Sequence, residues 1–212
     1  MRVMIVGQKW MGAATLHAVA AAGHEVVRAA APFCAGEEYD RLYAAALQRG
    51  IPAIHVGQRL SASDVPAAVD VIVAAHAHTF IAPDARAKAK HGAIGYHPSL
   101  LPRHRGRDAV RWTIHMGDPV AGGTVYQMDD GADTGPIICQ DWCHVRAGDT
   151  PEFLWRRDLG PMGIRLILQA LEMLESGKAI LRPQDEAPAT WEPAFRKAKL
   201  SEAPPAPKND SG

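Results

Sequence analysis

His97 and Asp133 are the two side chains in this chain whose types and settings suit proton transfer and oxyanion stabilisation. Histidine is the side chain that both takes and gives a proton near neutrality. A carboxylate beside it orients the ring as a proton donor, and a protonated imidazole can hold a developing oxyanion. A lone histidine is more often structural, so the setting decides. His97 follows the apolar run Ala93–Tyr96, and Asp133 closes the acidic loop Asp129-Asp130-Gly131-Ala132-Asp133 after the strand-like Gly122–Met128. Open α/β sheets bind ligands beyond their strand ends, so two loops at one sheet edge are expected to bring these residues together. No Gly-x-Ser-x-Gly turn or well-placed cysteine competes as a nucleophile.

Around His97, Pro98 and Pro102 stiffen the loop, and Arg103-His104-Arg105-Gly106-Arg107 forms a basic turn before Asp108 caps a helix over Ala109–His115. Such a run is usually a solvated face. Beside a candidate histidine, Arg103 and Arg105 are read as a substrate loop for an anionic group. His76 and His78 would point to one side of an extended backbone, as a chelate needs. Cys139-x3-Cys143-His144, the other ligand-like cluster, lies in a separate segment with irregular spacing. Pocket-lining histidines and no metal are therefore expected.

The flanking elements read as an α/β fold. Met1–Val6, His24–Ala31, Ile51–Val56 and Asp70–Ala75 are apolar strands, with helices over Ala13–Ala22 and Glu37–Arg49. A short helix is expected around Val65–Val69, capped by Ser61–Asp64, and another from Pro83 to Gly92. Ile137–Cys143 reads as an edge strand. Pro151–Leu159 and Met162–Leu174 read as a helix pair broken at Gly160-Pro161, with Trp155 at a packing seam or a contact with a second copy. The pattern predicts a doubly wound, mostly parallel, Rossmann-like sheet with helices on both faces. Gly7-x4-Gly12 lacks the close glycine pair of a dinucleotide site, and the second strand ends in alanines rather than a ribose-binding acid. It is read as a plain strand-to-helix turn.

At 212 residues and 47% apolar, the chain suits one α/β domain with a substantial core. Basic and acidic residues both number 23, so a nucleic-acid partner is not expected and a small-molecule substrate is. Three cysteines form no even framework, no charged leader precedes an apolar stretch, and runs such as Val69–Ala77 are too short for a bilayer. A cytoplasmic protein without a membrane partner is the expectation, with a homodimer as the candidate assembly. Residues 1–182 are expected as the catalytic domain, 183–200 as a surface extension, and 201–212 as a flexible proline-rich tail.

Tyr96-His97-Pro98-Ser99-Leu100-Leu101-Pro102-Arg103-His104-Arg105-Gly106, with Asp130-Gly131-Ala132-Asp133-Thr134-Gly135, resembles the folate-dependent formyltransferase family. The likeness covers most of residues 1–195, including Ala189-Thr190-Trp191-Glu192-Pro193. Within the family it is most similar to the hydrolase-domain branch of the 10-formyltetrahydrofolate dehydrogenases, with methionyl-tRNA and sugar N-formyltransferases as near relatives. The resemblance implies the formyltransferase amino-terminal domain fold, with the extension 183–200 packing back on the domain, and 10-formyltetrahydrofolate as formyl donor. The pterin would lie against His78, Phe80 and Ile81 and the loop Asp129, Asp130, Gly131 and Ala132. The formyl carbon would sit beside His97, which stabilises the tetrahedral oxyanion while Asp133 pairs with it and helps move a proton through water. An amine or a water is the acceptor implied, and a folate-binding module with little turnover is the alternative.

One position departs from the pattern. Transferring relatives carry an asparagine two places before the histidine, where this chain has Gly95. Losing an oxyanion donor costs roughly 10²–10³ in rate elsewhere. The hydrolase-type domains also lack the asparagine, so the resemblance shifts weight toward water as acceptor or toward a weakened transferase. The opening turn also does not resemble the phosphate loop of glycinamide ribonucleotide formyltransferases. The tRNA enzymes add a second domain with a basic face, and with no net positive charge here transfer RNA is the least expected acceptor.

Overall fold

The computed structural model describes residues 1–34, 36 and 39–197; residues 198–212, which include the expected tail, lie outside it. β1 (Arg2–Gly7), β2 (Glu25–Ala31), β3 (Ala53–His55), β5 (Val71–Ala75) and β7 (Ala93–His97) are parallel, and β8 (Val120–Gln127) and β9 (Ile137–His144) extend the sheet antiparallel. The seven-stranded order is β3-β2-β1-β5-β7-β8-β9, with β4 (Arg59–Leu60) and β6 (Phe80–Ile81) as a separate ribbon. The chain winds outward from β1 in both directions, which places a topological switch between β1 and β5. This is the mostly parallel, doubly wound sheet expected.

β1 shows why its sequence is an unbroken apolar run. Val3 and Ile5 join one core with Leu16, Leu42, Leu166 and Ile167, whereas Met4 and Val6 join the other with Leu60, Ile72 and Ile81. A strand covered on both faces has no polar side to show. α1 (Lys9–Ala21), α2 (Arg41–Gln48) and α6 (Gly160–Glu175) cover the first face. The second is covered by the β4–β6 ribbon, the short α3 (Pro83–Arg86) and a 3-10 turn at Ala62–Asp64. α4 (Ala109–His115) and α5 (Pro151–Leu154) complete the helices, and among the described residues none is long and apolar enough to cross a membrane.

Several local expectations are corrected. α1 starts at Lys9, so it absorbs the glycine turn. Gly12 sits inside the helix because a β-carbon there would come 3.1 Å from Leu42, making it a helix-packing residue. Buried Asp40 explains both helix starts: it accepts from the Lys9 and Leu42 N–H groups, so α2 begins at Arg41 rather than Glu37. Ser61 and Asp64 form a capping box on the 3-10 turn itself, and no helix follows at Val65–Val69. α3 is helical only to Arg86.

The break at Gly160-Pro161 is also absent. A π-helical segment, Trp155–Leu159, joins α5 to α6, and Pro161 falls in the first turn of α6. Proline there removes no needed hydrogen bond, and the wide π turn absorbs the change of register. Trp155 packs, half-buried, against the first core.

Candidate active site

His97 ends β7 with its side chain buried at 7% exposure. Its Nε2–H donates to the His104 carbonyl at 2.7 Å, because a carbonyl only accepts. Nδ1 then faces Asp133, 3.5 Å from Oδ2. The structure brings the two residues together, but not by the expected route. β8 is antiparallel to β7, pairing His97 with Thr124 and Ile94 with Gln127, so it ends at the far end of β7 from His97. The loop after β8 doubles back to reach the histidine. Gly135 permits this return, since a β-carbon there would lie 1.8 Å from the Gln127 carbonyl.

Asp133 itself is in the left-handed region, at φ 59°. Such a conformation persists in a non-glycine residue where its surroundings fix it. Gly106 N–H donates to Oδ2 at 2.8 Å, and the Tyr126 hydroxyl donates to Oδ1 at 2.6 Å. Burial, and then the Asp133 charge, push the Tyr126 phenol well above its ordinary value, so it remains a donor. Gln184 Nε2 donates to the carbonyls of Asp133 (2.8 Å) and Gly135 (2.7 Å). Gly95 lies directly across the sheet from Tyr126, and a β-carbon there would sit 3.2 Å from the phenol oxygen.

The basic loop is engaged with the protein. Arg105 is buried, and its guanidinium donates to Gln184 Oε1 and both carboxylate oxygens of Glu186. Arg103 pairs with Asp118 at 3.1 Å on a half-exposed side chain. His104, buried at φ 56°, lies between Asp118 (Nε2 to Oδ2, 2.8 Å) and Glu192 (Nδ1 to Oε1, 3.1 Å). Its N–H donates to Thr190 Oγ1, and Thr190 exchanges backbone bonds with Pro102 and Arg105. Residues 182–193 thus form a strap over the loops that carry His104 and Asp133, closed by Trp112 Nε1 on the Pro193 carbonyl.

The two segments assigned to the pterin are also joined. Arg86 donates to the Ile81 carbonyl at 2.9 Å and pairs with the Asp130 carboxylate. Asp129 is spent within its own loop, accepting from Gly131 N–H and Thr134 Oγ1. Phe80 stays exposed at 44%, its ring under the Arg59 guanidinium. Ala132 carries no bond of its own in this cluster. His78 lines a crevice of about 460 Å³ with Gly7, Phe33, His55 and Arg107, at the switch between β1 and β5. His97 and Asp133 lie outside its walls. A depression of about 630 Å³ beside α6, lined by Ile164 and Leu168, is remote from this chemistry.

His76 and His78 meet edge to face at 5.3 Å. Partial burial, then His78 and Lys9, push His76 down to about 4; desolvation first, then Arg107 and Lys9, lower His78. Among the described residues no group of three or more His, Cys, Asp or Glu clusters as a metal site would require. Burial pushes the Cys139 and Cys143 thiols up to about 11, so neither is a thiolate nucleophile near neutrality.

An open α/β sheet with an imidazole–carboxylate pair at a strand end can bind a small ligand and stabilise charge on it. The Formyl transferase family model matches residues 52–167, more than half of the chain, and the chain belongs to that family. It is 50% identical over 113 residues to the mitochondrial 10-formyltetrahydrofolate dehydrogenase of Mus musculus, covering 53% of this chain and 12% of that protein. It is 34% identical over 217 residues to the cytosolic 10-formyltetrahydrofolate dehydrogenase of Homo sapiens, covering 97% and 24%. The chain therefore spans a quarter or less of these relatives' lengths. An N-formyltransferase structure from Helicobacter canadensis, described as a complex with folinic acid and dTDP-3-aminofucose, shares the fold. Its TM-score is 0.73, with 15% identity, over 93% of this chain and 72% of that one.

Tyr126, Gln184 and Arg86 were not anticipated as site residues. Only the register of β8 against β7 and the return of the strap reveal them.

Proposed function

We propose that this chain takes the formyl group from 10-formyltetrahydrofolate and passes it to water or to an amine. The observation that carries the reading is the buried His97–Asp133 pair, set 3.5 Å apart in a chain of the formyl transferase family. His97 would hold the oxygen charge that develops when the acceptor attacks the formyl carbon. Asp133 would orient that imidazole and, through water, relay the proton the acceptor loses to the leaving nitrogen as its bond to the formyl carbon breaks and tetrahydrofolate departs. The pterin would enter between His78–Ile81 and Asp129–Ala132, the two segments that Arg86 ties together. Exposed Phe80 offers it a ring face. Gly95 offers the formyl oxygen no side-chain donor; this weakens oxyanion stabilisation for either acceptor, so the reading covers both hydrolysis and a slowed transfer.

The test is to mix the protein with 10-formyltetrahydrofolate and follow tetrahydrofolate release with and without amines. Release without amine supports hydrolysis, and acceleration by one amine supports transfer. Tight folate binding with no release would overturn the catalytic reading in favour of a binding module.

A further inference from the structure

Asp133 sits on a loop that doubles back over the sheet, and such a loop does not by itself aim a carboxylate. Rotation about Cβ–Cγ has to be stopped at both oxygens. Gly106 N–H holds Oδ2, the oxygen nearest His97, at 2.8 Å. The other oxygen is held by the Tyr126 hydroxyl at 2.6 Å. Without that second hold the carboxylate pivots on Gly106.

The surroundings of Tyr126 suit this task. Its ring is buried against Leu101, Ile137 and Met128, so the hydroxyl is delivered from a rigid support. A phenylalanine would fill the same apolar space without carrying a polar group that must be satisfied. The hydroxyl therefore has a use beyond packing, and Asp133 is the partner it meets.

Gly95 completes the arrangement. Its φ lies outside the left-handed region, so its backbone would accept other residues. What a side chain would meet is Tyr126: a β-carbon at 95 would lie 3.2 Å from both Cε1 and the hydroxyl oxygen, and 3.3 Å from Cζ. Contacts that close force the ring to give way. The glycine keeps free the volume that the phenol occupies.

We propose that Tyr126 is a positioning residue of this site, its hydroxyl holding Asp133 toward His97, and that Gly95 is glycine to leave room for that phenol. The inference rests on the formyl chemistry proposed above and adds two residues to it.

The experiment is a set of single and double variants assayed for kcat and KM with 10-formyltetrahydrofolate. Tyr126→Phe is expected to lower kcat by roughly 10- to 100-fold, the size of a lost hydrogen bond to a charged group, with KM little changed. In a background of Asp133→Asn it should cost nothing further, because the group it acts through has been replaced. Gly95→Ala should lower kcat by a smaller factor, and that loss should vanish in the Tyr126→Phe background. A structural role would instead give losses in Tm that add across the doubles. Full kcat in Tyr126→Phe, or additive losses with Asp133→Asn, would overturn the proposal.

If the wild-type chain releases no tetrahydrofolate, the functional reading fails first, and a second measurement decides the pairing. Tyr126 ionisation is isolated as the ultraviolet difference between each protein and its Tyr126→Phe counterpart. It should begin at lower pH in Asp133→Asn than in wild type. An unchanged titration would overturn the pairing as well.

Discussion

Two buried histidines, His97 and His104, sit in contact, and they are held in opposite ways. His104 has a carboxylate on each side, Asp118 at 2.8 Å and Glu192 at 3.1 Å. His97 has a carbonyl on one nitrogen and a single carboxylate 3.5 Å from the other. The tighter pairing belongs to the residue that fastens the strap to the loop. The looser pairing belongs to the residue proposed to respond to a ligand. His104 Nε2 is hydrogen-bonded to Asp118, and its Nδ1 lies beside Glu192 of the strap without completing a hydrogen bond.

The comparison is broken most sharply by replacing each member. His97→Ala and Asp133→Asn are each expected to lower tetrahydrofolate release by about 10³-fold or more while leaving the circular dichroism spectrum unchanged. Full activity in either would reverse the assignment. His104→Ala should act mainly on stability, by about 2–4 kcal/mol in denaturant unfolding, because it leaves Asp118 and Glu192 facing each other across a buried gap. A variant of wild-type stability would show that the tight pair is not structural.

Gln184→Ala tests the strap without touching either histidine. It removes the donors to the Asp133 and Gly135 carbonyls and the acceptor for Arg105. A fall in kcat of roughly tenfold is expected, with Tm lowered by a few degrees. A change confined to KM would place Gln184 in substrate binding instead.

The smallest effect concerns a third histidine. His76 is open to solvent on its outer edge, yet it is pushed down from 6.5 to about 4. An NMR titration should return a midpoint below 6.5. The unfolded chain then binds more protons at this position, so its contribution to stability is lost as pH falls from 6.5 toward that midpoint. A midpoint at or above 6.5 would show that its contacts with His78 and Lys9 do not hold His76 neutral.

These cases show what the sequence could and could not carry. The parallel strands were legible because burial on both faces leaves an unbroken apolar run, as in Val3–Val6 and Val71–Ala75. His97 and Asp133 were legible from their types and their places after strands. The path joining them was not, because strand direction depends on the pairing of β8 with β7. Arg105 read as free charge since its partners, Gln184 and Glu186, arrive from far along the chain. Gly12 and Pro161 read as breakers because local rules take no account of Leu42 or of a π turn.

The strap has a practical consequence for anyone cutting or grafting this unit. α6, at Glu175, looks like a natural joint, since the last long helix ends there. Yet Gln184, Glu186, Thr190 and Glu192 all lie beyond it, and each is bonded to the loops that aim the reacting pair. A graft ending at the helix would carry the whole sheet and both reacting side chains, but with their alignment undone. The portable unit is set by its hydrogen bonds and runs through Pro193.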